Sequence, residues 1–197
     1  MSERFDAAIA AIDAANADDP FTIEIDGVVR PKEQAHAELM TEWVRRLDPD
    51  ATEAQLIAAR AHHLRRWTIP RASYPEGRAG YLRWRATLKK QHAEEVGAIL
   101  SGVGYDAGVI DDVQRIIRKE GLGSELHGAV QVHEDALCLV FLQTQLASTT
   151  DQLGDDHMIS VIQKTVAKMS PAGLAHVATI EMRDHDRDLV ARALAPG

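Results

Sequence analysis

The sequence has a single cysteine, Cys138, among 197 residues, so no disulfide can close within the chain. Aromatic residues are scarce, at three each of Trp, Tyr and Phe. No apolar run approaches the roughly 18 residues that a membrane-spanning helix needs. The opening, Met1-Ser2-Glu3-Arg4-Phe5-Asp6, lacks the basic-then-apolar layout of a secretory signal. These absences exclude a disulfide scaffold and lead us to expect the reducing cytoplasm and no membrane partner. Cys138 lies in Leu137-Cys138-Leu139-Val140-Phe141-Leu142 and reads as a small buried hydrophobe rather than a nucleophile.

Hydrophobic residues make up 45% of the chain, which is a globular composition. The length suits one domain, over residues 1–197, with a sizeable core. There is no internal repeat or low-complexity tract. Charge is unevenly spread. Nine cations fall between Arg60 and Lys90 with one acid, Glu76, among them, so this stretch is +8 in a chain of net charge −8. An acidic protein with one basic segment suits a small anionic ligand better than nucleic acid, whose binders tend to be basic over a whole face.

Apolar spacing predicts an all-α bundle. Residues 5–16 form a first helix, ended by Asp19-Pro20. Thr22 to Val29 alternates around Asp26-Gly27 and reads as one short hairpin, the sole β element expected. Further helices are expected over 31–47, 52–67, 81–100, 107–119 and 130–146, with C-terminal helices over 155–194. Residues 68–80, rich in Pro and Gly, form a loop within the basic stretch.

Histidine and carboxylate supply the candidate chemistry. His62 and His63 are adjacent, His92 lies on the long helix after the basic loop, and Glu134-Asp135 opens the most apolar helix. A carboxylate at the end of a buried helix is costly unless paired or metal-bound. Imidazoles and carboxylates on facing helices are a usual way for a bundle to hold Mn, Fe, Mg or Zn. The alternative is that His62 and His92 are surface residues and Asp135 a helix cap. In the basic stretch, arginines interleave with Trp67, Tyr74, Tyr81 and Trp84, offering forked donors beside flat stacking surfaces, as a phosphate with an attached planar group requires. The alternative is tryptophans in the core and arginines paired with the surplus acids. His157, His176 and His185 read as surface residues; Lys164, Lys168 and Ser170 either reach the site or complement a helix C-terminus, and the second reading is preferred.

Two resemblances sharpen this. Leu56 to His63, then His92 to Tyr105, then His133-Glu134-Asp135-Ala136 resemble in order the motifs of the HD superfamily of metal-dependent phosphohydrolases, over about residues 31–146. That likeness implies an HD-like core and metal ligands at His63, His92 and Asp135. It leaves His62 or His63 open, because His-His stands where the superfamily has His-Asp, and it leaves Glu33 or His36 open as the ligand of the first helix. Lys119 stands where some members carry a further histidine. A closer match is a family catalogued as domain of unknown function 4202. Its hallmark resembles His63-x-x-Arg66-Trp67-x-x-Pro70-Arg71-x-x-Tyr74-Pro75-x-x-Arg78-x-Gly80-Tyr81-x-x-Trp84-Arg85, with Lys164-Thr165-x-x-Lys168-Met169-Ser170 near the end. The likeness spans nearly the whole chain and implies no activity.

The function expected is a divalent-metal-dependent hydrolase of a small phosphorylated, nucleotide-like substrate. In that reading Arg66, Arg71, Tyr74, Arg78, Tyr81 and Arg85 bind the substrate. Glu134 is the general base, and Lys119 is the other catalytic candidate. The alternatives are a metal-dependent oxygenase on the same scaffold and a non-catalytic module for an anion or an RNA end.

Overall fold

Helix starts are written in the sequence as caps, and the chain uses them. Ser2 accepts from the amide of Phe5, Asp106 from that of Val109, and Ser170 from that of Gly173. Thr52 and Gln55 form a reciprocal capping box. In a computed structural model that describes residues 2–25, 27–124 and 128–195, these starts open four of ten α-helices.

In chain order the helices are α1 (Glu3–Asn16), α2 (Lys32–Leu47), α3 (Glu53–Arg60), α4 (Gly77–Gly102), α5 (Ala107–Arg118), α6 (Gly128–Thr144), α7 (Leu146–Leu153), α8 (Asp155–Val166), α9 (Pro171–Val177) and α10 (Asp184–Leu194). An antiparallel hairpin, β1 (Thr22–Ile25) and β2 (Val28–Pro31), separates α1 from α2. Ile25 pairs with Val28, so the turn is two residues long. Gly27 supplies the positive φ of 76° that such turns need. Asp26, the other turn residue, lies outside the described residues. The protein is therefore all-α apart from one hairpin, as expected from its apolar spacing.

One contiguous core runs from Phe5 to Ala193. It is built around α6, whose Val130, Ala136, Leu139, Val140 and Leu142 are buried; α2 packs against α6 and α3, α4 against α5, and α8 against α10. Cys138 is buried there, its thiol near the carbonyl of Thr165, and burial pushes its pKa up to about 12. No helix among the described residues is long and apolar enough to cross a membrane.

The expected helix over 52–67 stops early, and the reason bears on function. Helix α3 ends at Arg60, and residues 61–65 form turns. Arg65 adopts a left-handed conformation (φ 49°), costly for a residue with a Cβ. Side chains from distant helices hold this turn. The Asn16 side-chain oxygen accepts from the Arg65 amide at 3.0 Å, and His92 donates to the Leu64 carbonyl at 2.8 Å. Burial of Leu64 and His62 rewards the bend. His62 and His63 thus sit on an irregular turn, where neighbouring side chains need not follow helical angles.

The start of α4 is fixed by close approach. A Cβ on Gly80 would lie 1.9 Å from the Pro75 carbonyl oxygen, so only glycine lets the basic loop fold back on the helix. Gly102 at the far end has open space around it. We expect Gly80→Ala to destabilise the protein by about 1–3 kcal/mol in chemical denaturation. Gly102→Ala should be neutral or slightly stabilising.

Candidate metal centre

Three residues bring ligand atoms together. Glu33 stands in the first turn of α2, His36 one turn later, and His63 on the turn after α3; their ligand atoms all lie within 4.8 Å of one another. His63 Nδ1 is 2.7 Å from Glu33 Oε2, and His36 Nδ1 is 3.6 Å from the same oxygen. Two donors each about 2.1 Å from a zinc-like ion are about 2.7 Å apart at an 80° angle and about 3.6 Å apart near 120°. Both separations therefore fit one shared ion. The turn places Glu33 because Asp19 Oδ2 accepts from its amide at 2.9 Å, locking the start of α2.

His92, on α4, is held in one tautomer. A carbonyl can only accept, so Nδ1 carries the proton donated to Leu64, and Nε2 is left with a buried lone pair and no hydrogen-bond partner. This is the arrangement in which outer bonds orient a metal-binding imidazole. The His92 ring centroid is 6.1 Å from that of His63. His62 stacks on His63 at 4.2 Å, and its Nδ1 lies 2.9 Å from Nε2 of buried His133. These imidazoles are neutral. Burial, reinforced by neighbouring cations, holds His62 and His63 well below the usual histidine range, and lowers His92 to about 4 and His133 to about 3.

The histidines open onto a cleft ringed by cations. Its lining includes His62, His63, His92, Arg66, Arg85, Lys89 and Lys119. Arg66 approaches Glu33 at 3.8 Å and lies over the Trp84 ring at 4.6 Å. Trp84 in turn donates to the Ile69 carbonyl at 2.9 Å. Lys119, the left-handed cap of α5, forms a buried ion pair with Glu134. Lys168 reaches Glu134 at 3.9 Å from the other side.

The expected site residues divide into those the cleft gathers and those it does not. His62, His63, His92, Arg66, Arg85 and Lys119 line it, and Glu33 and Glu134 bond to lining residues. Asp135 is engaged elsewhere: its carboxylate accepts from the Ser170 amide at 2.8 Å, from the Ser170 hydroxyl, and from Gln131 at 3.0 Å, which fastens α6 to the start of α9. Arg71 donates to the carbonyls of Tyr74 and Gly77 and braces the loop. Arg78 is exposed; Tyr81 lies beside Arg85, its hydroxyl 3.3 Å from the guanidinium. Sequence reasoning missed Lys89 as a cleft residue and gave His133 no role, while Lys168, read as a complement to a helix C-terminus, approaches Glu134. Lys89 was findable, because it lies four residues after Arg85 and three before His92, on one helical face. Of the surface histidines, His176 instead packs edge-on against Trp43.

A helical protein with a histidine–carboxylate cluster beside a basic cleft is the class that these observations define. Residues 6–190 match the family described as Domain of unknown function (DUF4202), and the chain belongs to that family. No curated protein and no solved structure matches it. The likeness to the HD superfamily finds no support in these comparisons.

Buried neutral histidines make folding sensitive to acid. Their pKa is lower folded than unfolded, so below about 6.5 the unfolded chain binds protons that the native one does not. Stability is then full above that value and falls as pH drops. His92 and His133, lowered to about 4 and about 3, should each remove about 2 kcal/mol between pH 7 and pH 5. Urea denaturation should show this loss, with His133→Phe reducing its pH dependence.

Proposed function

We propose that the chain is a metal-dependent hydrolase of a phosphorylated small molecule, with one divalent ion (Mn, Fe, Mg or Zn) held by Glu33, His36 and His63. The observation that carries this reading is the gathering of those ligand atoms beside a cleft ringed with cations. His92, whose buried Nε2 has no hydrogen-bond partner, stands next to this group, its ring centroid 6.1 Å from that of His63. The lowered pKa of His63 favours metal binding, since a protonated histidine cannot ligate.

An ion so held would lower the pKa of a bound water and make it a nucleophile towards phosphorus. The protein's own residues do the rest. Arg66 and Arg85 bind the phosphoryl oxygens, with Arg66 stiffened by its stacking on Trp84. Lys119 faces the cleft as a desolvated ammonium and protonates the leaving oxygen as the phosphorus–oxygen bond breaks. Glu134 acts through Lys119 as its buried counter-ion rather than as a general base, because its carboxylate is already engaged by two lysines.

Elemental analysis of the purified protein tests the site. About one divalent ion per chain is expected, and Glu33→Gln and His63→Ala should each lose most of it. Added metal at a hundred times its dissociation constant should stabilise the wild type by about 2.7 kcal/mol. Hydrolysis of p-nitrophenyl phosphate should vanish with a chelator and return with metal. A protein that retains no ion and shows no shift with Mn, Fe, Mg or Zn overturns the proposal; metal without hydrolysis leaves a binding module.

A further inference from the structure

The N-terminal half of α4 carries a row of cations that starts at the cleft and leads away from it. Arg78, Arg85 and Lys89 fall at helical spacing on one face, the face that continues to His92 in the cleft. At 1.5 Å per residue the row from Lys89 to Arg78 is about 16 Å long. Among the described residues, no carboxylate lies within ion-pairing distance of any of the three, whereas Arg66 and Lys119 have Glu33 and Glu134. Acid is not in short supply, since the chain has 30 Asp and Glu. A row of cations with no carboxylate partner among the described residues suits a partner that supplies the negative charge.

Beside the row, Tyr81 and Leu82 are 41% and 54% exposed. The guanidinium of Arg85 lies over the Tyr81 ring at 5.8 Å, and Tyr81 packs obliquely on Trp84. Trp84 is buried and its ring is covered by Arg66, so Tyr81 is the aromatic surface open to a ligand. A line of phosphate-binding cations next to an exposed aromatic is how proteins track a single strand, with the backbone on the cations and a base on the ring. The single row, one helix face wide, suits one strand. The net charge of −8 works against coating a duplex.

We infer that the substrate phosphate is the terminal phosphate of a single-stranded oligonucleotide. Its end enters the cleft beside Lys89 and Arg85, and the following nucleotides run outward along α4 towards Arg78, with a base on Tyr81. This rests on the phosphate-binding reading of the cleft and extends it from a mononucleotide to a chain end.

Fluorescence anisotropy on the full-length protein tests this, with a short oligothymidylate phosphorylated at its 5′ end, a second phosphorylated at its 3′ end, an unphosphorylated one, and thymidine 5′-monophosphate as competitor. One phosphorylated oligomer should bind about tenfold or more tighter than both the monophosphate and the unphosphorylated strand. Arg78→Ala and Tyr81→Ala, checked for folding by circular dichroism, should each weaken oligomer binding about three- to tenfold, and affect the monophosphate less. Arg78→Ala should also lower the salt dependence by about one phosphate contact. If the monophosphate competes as well as the oligomers bind, or both variants bind oligomer like wild type, the inference is overturned while the cleft keeps its phosphate. If nothing binds, the cleft reading falls with it.

Discussion

Buried negative charge is the constraint on which this molecule turns. Glu33 and Glu134 are 5% and 3% exposed, on helices α2 and α6 that pack against each other. A carboxylate so placed must be compensated, because removing it from water without a partner costs several kcal/mol. The two are compensated differently. Glu134 has two lysines, and it keeps Lys119 at the cleft wall although burial alone would drive an ammonium out. Among the described residues Glu33 has a 3.8 Å contact to Arg66 and two imidazoles, of which burial holds His63 well below the usual histidine range. Its ligand atoms and those of His36 and His63 lie close enough together to share a cation, which would complete the compensation.

Much of the fold was legible in the sequence, for identifiable reasons. Ser2, Asp106 and Ser170 cap helices through bonds to amides a few residues on, and Gly27 sits where a two-residue hairpin turn needs positive φ. Such signals are local. The break at Arg60 was not legible, since Ala-Ala-Arg-Ala-His-His-Leu carries no glycine or proline. The turn there is held by Asn16 and His92, from helices 49 and 28 residues away in sequence. Only tertiary contacts stop that helix, and no window of local sequence contains them.

The candidate site was legible as residue types and only partly as partners. His63 and Glu33 were both named, and they do touch. Glu134 and Asp135 were read together as an acidic pair at a helix mouth, yet α6 starts at least six residues earlier and the two carboxylates have different partners. Adjacent helical positions differ by about 100°, so neighbours in sequence are seldom neighbours in function. Lys89, by contrast, was hidden in a list of nine cations, and its helical register, not its charge, distinguishes it.

That same divergence makes α6 a mechanical link. Glu134 holds Lys119 at the cleft, while Asp135, one residue on, holds the serine that begins α9. The fit is close, for a Cβ on Gly173 would meet the Asp135 carboxyl carbon at 2.6 Å. An outward shift of α9 would pull on Asp135 and rotate or slide α6, and the rigid helix would carry Glu134 with it. The C-terminal helices, remote from the histidines in sequence, would then set where a positive charge stands in the cleft.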